Sequence, residues 1–412
     1  MVSIVQFGEG NFLRAFVDWM MQPDSIIVVK PRPGSGLEKL RDLDFRYCVA
    51  LRGLQDGVTI DAQQRVESIA GAIHPYEQYQ EFMQLATEPQ LRFVVSNTTE
   101  AGIQFDPTCR FTDEPALSFP GKLTQLLYHR WKYFQGDPSK GLVILPCELI
   151  FHNGHELTRC IEQYIELWAL DPAFLAWFRA SCPVYNTLVD RIVPGGPDPA
   201  MVQAEPYHLW VIEGPQTLKQ ELPLREGDFN ILFTDDEEPY HQLKVKLLNG
   251  PHTALSAVGH LCGLSTVRES LLHPVVGRYI HHVMMDELLP TVPLSQHEAE
   301  EYAQTVLDRF LNPYVKHQLT SILLNNLSKY RTRNLPALLW HVEQTGQLPS
   351  CLCLSLAANL ICAEIADPRS CLSDAELWGQ DLTLIDGLQS TVEHLIEEIK
   401  VNGMLQTLEK AL

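Results

Sequence analysis

Apolar residues run almost unbroken through Ser3-Ile-Val-Gln-Phe7, give way to Gly8-Glu9-Gly10, and recur at helical spacing through Asn11-Phe-Leu-Arg-Ala-Phe-Val-Asp-Trp19. A short continuous apolar run reads as a strand covered on both faces, so this opening predicts strand, glycine turn and helix. Three more such runs, SIIVVK, LRFVVS and GLVILP, alternate with helical stretches as far as about Leu149. That alternation is the pattern of a doubly wound parallel sheet. Residues 155–179 read as helices, Pro194-Gly-Gly-Pro-Asp-Pro199 as a loop, and HLWVIEGP and FNILFTDD as further strands. Beyond the acidic turn at 234–239 the strand signal disappears, and SILLNNLSKY, LPALLWHVEQ and LSLAANLICAEIA carry apolar positions three and four apart. The pattern predicts an α/β chain: a Rossmann-like doubly wound domain over residues 1–238, then a mostly α-helical domain over 239–412.

Ligands of doubly wound sheets bind beyond the carboxyl ends of the strands, so the residues that follow each run are the first candidates for chemistry. Gly8 and Gly10 let the backbone turn sharply and approach a pyrophosphate, although Leu13 stands where the usual third glycine would be. Arg14 could reach a phosphate or pair with Glu9. The second run ends at Lys30 and Arg32 in place of the acidic residue that holds an adenosine ribose, which leaves NAD against NADP open. The run LRFVVS empties into Asn97-Thr98-Thr99-Glu100, which reads equally well as a cofactor loop or as a hydrogen-bonded turn and helix cap. GLVILP delivers Phe151-His152-Asn153-Gly154 to a strand end in the same way.

In KVKLLNGPHTAL, Lys244, Asn249 and His252 fall near 0°, 140° and 80° on a helix of about 100° per residue. A lysine can give a proton to a nascent alkoxide or take one from an alcohol, and an amide can hold the oxygen as charge develops. The plainer reading is an amphipathic helix with Lys244 outward and His252 satisfied at its edge.

QFGEGNFLRAFVDW, FVVSNTTEAGI, LPCELIFHNG, NTLVDRIVPG, KVKLLNGPHTAL and RFLNPYVKHQL, in this order from Ser3 to about Arg333, together resemble the mannitol dehydrogenase family of polyol-specific long-chain dehydrogenases, most of all its tagaturonate reductase branch. The resemblance implies a zinc-independent, NAD-linked hydride transfer between a keto sugar acid and its alcohol. It implies Lys244 as general acid/base, Asn249, His252 and Asn153 around the reacting oxygen, and Lys329 as a substrate ligand. The cofactor would lie on Phe7, Gly8, Gly10, Asn11, Phe12, Arg14, Asn97, Thr99 and Glu100. Ser321, eight residues before Lys329, replaces an arginine of the polyol-specific members and points away from mannitol. Asp190 also matches a family signature, where it could orient Lys244, bind a substrate hydroxyl, or pair with Arg191 to organise a loop. A uronate needs a cation at its carboxylate, and Lys329, Arg331 and Arg333 supply candidates, with a solvated basic face as the alternative for the last two. The helical domain is then expected to carry Lys244 to the nicotinamide in a cleft between domains.

A formal net charge of -20 over 412 residues argues against nucleic acid or an anionic membrane as partner, and makes any local cluster of cations more telling. The ten cysteines show no CxxC pair, and Arg159 occupies the second-histidine position of a HExxH motif, so no catalytic metal and reduced thiols are expected. No apolar run reaches the ~18 residues of a membrane span and no charged leader precedes the first strand. These features fit a cytoplasmic enzyme, monomeric or a small homo-oligomer, acting on a small sugar acid. A fructuronate reductase, a polyol or polyol-phosphate dehydrogenase and, more remotely, a non-catalytic NAD-binding regulator are the alternatives. Relative to the tagaturonate branch the chain reads as short after Asp198 and around 367–373.

Overall fold

The computed structural model describes residues 2–99, 101–194, 196 and 198–412. The chain divides into two compact units, Met1–Arg52 with Asp61–Glu237, and Gly53–Ile60 with Glu238–Leu412. Strands are β1 (Ile4–Phe7), β2 (Ile26–Val29), β3 (Tyr47–Gln55), β4 (Val58–Val66), β5 (Ile69–Ile73), β6 (Phe93–Ser96), β7 (Val143–Pro146), β8 (Thr187–Asp190), β9 (Met201–Ala204), β10 (Leu209–Glu213) and β11 (Ile231–Thr234). The helices used below are α1 (Asn11–Arg14), α2 (Phe119–Tyr133), α3 (Asn153–Leu167), α4 (Glu238–Lys244), α5 (Gly250–Leu261), α6 (Gln296–Phe310), α7 (Asn326–Arg333) and α8 (Ser350–Cys362).

In the first unit β5-β2-β1-β6-β7 form one sheet in that order, and every pair in it is parallel. This is the strand order of a mononucleotide-binding half of a Rossmann fold, with its switch point between β1 and β6. Side chains alternate between two cores: Val5, Phe7, Val94 and Ile144 face one, and Ile4, Val28, Val95 and Leu145 the other. Burial on both faces is why these strands read as continuous apolar runs. The registers place Phe7 opposite Val29 and Ser96, and Ser96 opposite Pro146, so four strands end at one level. The loops after them therefore share one edge.

Between β2 and β5 the chain departs from simple alternation, because the connection contains the long hairpin β3–β4 in place of a crossover helix. Its two-residue turn is Asp56-Gly57, both at positive φ (51° and 72°), as a tight I′-type turn demands. An Asp-Gly pair is a strong hairpin signal that the alternating pattern overshadowed. β3 also pairs in parallel with β9, and β10 joins β8 and β11, so two three-stranded sheets accompany the main one.

The second unit is almost wholly helical. Residues 250–259 of α5 are all buried, as are residues 351–360 of α8. Helices buried on every side belong at the centre of a bundle, and these two pack on one another. No helix among the described residues is long and apolar enough to cross a membrane. The ten cysteines stand unpaired.

Polar groups inside the first core carry a pH signature. Gln6 on β1 donates from Nε2 to the carbonyl of Gly8 at 3.1 Å, supporting the glycine turn, and Asp18 accepts from the Tyr47 hydroxyl at 2.9 Å. Gln6 Oε1 and Asp18 Oδ1 are both buried without a donor, and a proton on Asp18 supplies the missing one. Burial pushes the Asp18 carboxyl up from 3.8 to about 7, against smaller lowering by Tyr47, Gln6 and Arg14. The folded state thus holds a proton that the unfolded chain has released, and this site's contribution to stability falls as pH rises from about 4 to about 7. Asp18→Asn keeps a donor and removes the titration. Its melting temperature is expected to match the parent near pH 4 and exceed it at pH 8; an equal shift at both pH values in thermal scans refutes this.

Candidate active site

At the shared edge of the main sheet, Gly8 (φ 131°) turns the chain so tightly that a Cβ there would lie 2.8 Å from the Asn97 carbonyl oxygen and 3.0 Å from Leu13 Cδ1. Only glycine fits this backbone and this approach. Gly10, two residues on, is exposed with nothing within 4 Å of its would-be Cβ, so the outer side of the turn is open to a ligand. Leu13 packs down onto the turn where a third glycine would otherwise bring helix and strand together. Across the switch point, Thr98 donates from its N–H and Oγ1 to Glu148 Oε1 at 2.9 and 2.8 Å, and Ser96 Oγ donates to Oε2 at 2.9 Å. Glu148 is 2 % exposed, and burial raises its pKa against these donors. A cavity of about 360 Å³ opens beside these loops, walled by Pro31 and Arg32 after β2, Thr98 and Gly102 after β6, and Phe105 and Phe119. A tight inner glycine, an open outer one and a slot between the β2 and β6 loops fit a dinucleotide.

Not every residue expected at this edge faces it. The Phe7 ring is fully buried against Phe82 and Phe119, and Phe12 stacks on Phe16 with ring centroids 4.9 Å apart. Arg14 is 6 % exposed, with Nη2 donating to the Pro199 carbonyl at 2.6 Å and the guanidinium over the Tyr47 ring. Its guanidinium is thus held between Pro199 and Tyr47, beside a small pocket that Asn11 also lines. Asn11 is exposed beside Gly10, Asn97 Nδ2 donates to the Cys147 carbonyl, and Thr99 (φ 95°) accepts from Arg32 Nη2 at 2.9 Å. Glu100 lies outside the described residues.

Asn153 opens α3. It is fully buried, and its Nδ2 meets the carbonyls of Pro146, Glu148 and Thr187 at 3.0, 3.0 and 2.9 Å while Oδ1 accepts the Thr187 N–H at 2.9 Å. Both ends of the amide have backbone partners, so it ties the end of β7 to β8. Asp190 is buried at the end of β8. Its neighbour Arg191 donates to the carbonyls of Ala15 and Glu205 and lies over the Trp19 ring, a loop-organising role.

In the second unit, α4 runs into a π-helical turn, Val245–Asn249, and then into α5. Pro251 has no N–H to offer the Leu247 carbonyl, which loosens the α-helical ladder at this point. A π-turn brings residues five apart nearly into line, so Asn249 lies about one turn below Lys244 and not on the flank that uniform α-helical spacing indicates. The carbonyls around the wide turn are caught by side chains: His252 Nδ1 bonds Leu248 O at 2.8 Å and Thr253 Oγ1 donates to Asn249 O at 3.1 Å. A carbonyl only accepts, so Nδ1 carries the proton and Nε2 keeps a lone pair. Burial pushes the His252 pKa well down, helped by His317, Arg309 and Arg333. His252 is therefore a neutral acceptor near neutrality.

Around this helix start stands a group of cations and histidines. The His252 ring lies 4.2 Å from Phe310 and 5.0 Å from His317 between centroids. His317 has its pKa lowered by burial and then by Lys329, and Lys329 by burial and then by Arg333. Arg333 Nη1 donates to Thr253 Oγ1 at 3.2 Å. Lys329 and Arg333 are four apart on α7 and share a face, whereas Arg331 points elsewhere, donating to Glu376 O at 3.1 Å with its guanidinium against Gly379. Arg331 is thus directed to Glu376, whereas Lys329 and Arg333 stand together. His317 and Glu148 escaped sequence reasoning, although both sit inside segments, NPYVKHQL and LPCELI, whose pattern drew attention. Among the described residues one further cluster, His282, Glu287 and Cys351, could face a metal. Glu287 instead accepts the Cys351 and Leu352 N–H groups at 2.9 and 2.7 Å and serves as the cap of α8.

Sheet order and glycine turn define a Rossmann-like dinucleotide-binding domain, followed by a helical unit. The chain belongs to the mannitol dehydrogenase family: the mannitol dehydrogenase Rossmann domain matches residues 2–226 and the mannitol dehydrogenase C-terminal domain residues 236–370. It is 46% identical to an altronate oxidoreductase of Phocaeicola vulgatus, covering 99% of this chain and 96% of the relative. To an altronate oxidoreductase of Bacillus subtilis it is 39% identical, with 99% and 95% covered. The first alignment spans 462 positions against a chain of 412 residues, so at least 50 are filled by the relative alone. Two solved structures share the fold. They are Pseudomonas fluorescens mannitol 2-dehydrogenase in complex with NAD and D-mannitol (22% identity, TM-score 0.70, 99% and 94% covered) and a substrate-free D-sorbitol dehydrogenase (19%, 0.81, 99% and 95%).

The bracket formed by Asn153 predicts a stability phenotype. Asn153→Ala leaves buried carbonyls and an N–H without partners, at a cost of about 2–4 kcal/mol. Denaturant unfolding should show a lower midpoint; an unchanged midpoint with lost turnover would place Asn153 in the chemistry.

Proposed function

We propose that this protein is an NAD-dependent keto-uronate reductase, converting tagaturonate to altronate and back. The observation that carries this reading is the group of Lys329, Arg333 and His317 beside the Lys244–His252 helix in a chain of net charge -20, joined to 46% identity with a protein named altronate oxidoreductase. A strongly acidic protein repels an anionic substrate unless cations gather where it binds. Arg333 and Lys329 on one face of α7 supply that attraction for a carboxylate, and Arg333 offers it a planar fork.

NAD would be held by the Gly8–Gly10 turn and the loops after β2 and β6, and when reduced it supplies a hydride to the keto carbon. As negative charge builds on the former carbonyl oxygen, the Asn249 amide donates a hydrogen bond to it and the Lys244 ammonium donates the proton that makes the hydroxyl. His252, neutral and with Nε2 free of its proton, accepts a hydrogen bond from an adjacent substrate hydroxyl. In the oxidation direction Lys244 takes the proton back. A fructuronate reductase would use the same groups, and the distinction lies in the sugar's configuration.

NADH oxidation followed with tagaturonate, fructuronate, fructose and fructose 6-phosphate tests the reading, and the two uronates are expected to turn over far faster than the neutral sugar, with tagaturonate first. Fast reduction of fructose with silence toward both uronates would overturn it. Lys244→Ala should lower kcat by roughly 10²–10⁴-fold with NADH binding kept. Arg333→Ala should raise KM for the uronate roughly ten- to a hundredfold, as loss of a charged hydrogen bond predicts, while Arg331→Ala leaves KM unchanged. Equal effects of the two arginine variants would remove Arg333 from the carboxylate.

A further inference from the structure

In a Rossmann half the residue that ends the second strand is normally acidic and accepts hydrogen bonds from the adenosine ribose hydroxyls, and that acid rejects a 2′-phosphate. Here the residue after β2 is Lys30, with Arg32 two further on. Taken alone, two cations at this point would suit NADP. The structure alters their meaning. Glu9, the middle residue of the glycine turn, reaches to the end of β2 and pairs with Lys30, Oε1 to Nζ, at 2.6 Å. The lysine side chain is 6% exposed and the glutamate 23%, so the ammonium is covered and the carboxylate keeps an open side. The 31–36 loop folds back over the pair: Gly36, at φ 145°, comes so close that a Cβ would lie 3.0 Å from Lys30 Nζ and 3.2 Å from Glu9 Oε1. Arg32 turns toward the β6 loop and donates to Thr99 Oγ1 at 2.9 Å. The other carboxylate of this region, Glu38, is exposed and accepts the Gly36 N–H at 2.6 Å, bracing the loop. Pro31 and Arg32, which follow Lys30, line the cavity between the β2 and β6 loops.

We propose that Glu9 is the residue that selects NAD, its carboxylate taking the ribose 2′-hydroxyl from the glycine turn in place of the missing acid on β2, with Lys30 as its buried anchor. Lys30 is thereby a positioning residue, neutralised by Glu9 and shielded by Gly36, and is withheld from any 2′-phosphate. Two oxygens divide the work: Oε1 faces Lys30, and Oε2 faces the ribose. A 2′-phosphate brought to the same place meets a carboxylate first. This inference rests on the NAD reading above and assigns the part of the site that distinguishes the two coenzymes.

The test is direct binding of NADH and NADPH, titrated separately by nicotinamide fluorescence to the full-length protein and to Glu9→Gln, Lys30→Met and Glu38→Gln, with melting temperatures recorded for each. The parent is expected to prefer NADH. Glu9→Gln should weaken NADH roughly tenfold to a hundredfold, the effect of losing a charged acceptor, and should strengthen NADPH, because the uncovered ammonium then faces the phosphate. Lys30→Met should weaken both, NADPH more, since the carboxylate loses its anchor and its counter-charge. Glu38→Gln should leave the preference as it is. NADH affinity within twofold of the parent in folded Glu9→Gln overturns the assignment, as does Lys30→Met losing NADPH alone. A parent that binds neither coenzyme overturns the NAD reading itself, and a parent that prefers NADPH makes Lys30 a phosphate ligand and sinks the role of Glu9.

Discussion

Several backbone carbonyls that lose a strand or helix partner inside this protein are met by side chains, and the geometry of both candidate binding regions leans on them. Asn153 holds the carbonyls that β7 and β8 leave open as they diverge, and so fixes the edge where Glu148 receives Ser96 and Thr98. Arg130 on α2, fully buried, meets the carbonyls of Ala86, Glu88, Leu91 and Lys140 in the segments that lead into β6 and β7. In the helical unit Pro251 removes a donor, the helix widens into a π-turn, and His252, Thr253 and Asn334 take up the carbonyls of Leu248, Asn249 and Gly250. The tautomer of His252 and the line from Lys244 to Asn249 are consequences of that repair.

Charge is handled by the same economy of burial. The molecule is strongly acidic, yet several cations meet beside the start of α5, where burial and mutual repulsion depress the pKa values of His252, His317 and Lys329 together. Groups that destabilise one another in this way would gain from the arrival of an anion. At the sheet edge the reverse arrangement holds, with Lys30 already neutralised by Glu9. One region leaves cations side by side, and the other pairs its cation with a carboxylate.

How much of this was legible in the chain depends on the range of the forces involved. The parallel sheet, the glycine turn and the helical second half were readable because burial on two faces writes continuous apolar runs and a helical core writes 3.6-residue spacing. Lys244, Asn249 and His252 were readable as a group through their proximity in sequence. The hairpin at Asp56-Gly57 was written locally too, and went unread because it interrupts a stronger alternation. Arg14, Asn153 and Arg331 could not be judged from sequence, since each is claimed by partners far along the chain: Pro199, Thr187 and Glu376. The same distance hid His317 beside His252 and Glu9 beside Lys30.

The sequence by itself determined the elements and the chemical types available at the strand ends and on the lysine helix, because those depend on neighbours within a turn or two. Only the tertiary structure decided which polar groups were left to meet a ligand. A side chain has a limited number of donors and acceptors, and the fold consumes them first wherever backbone is buried, so availability is what remains after distant segments have been satisfied.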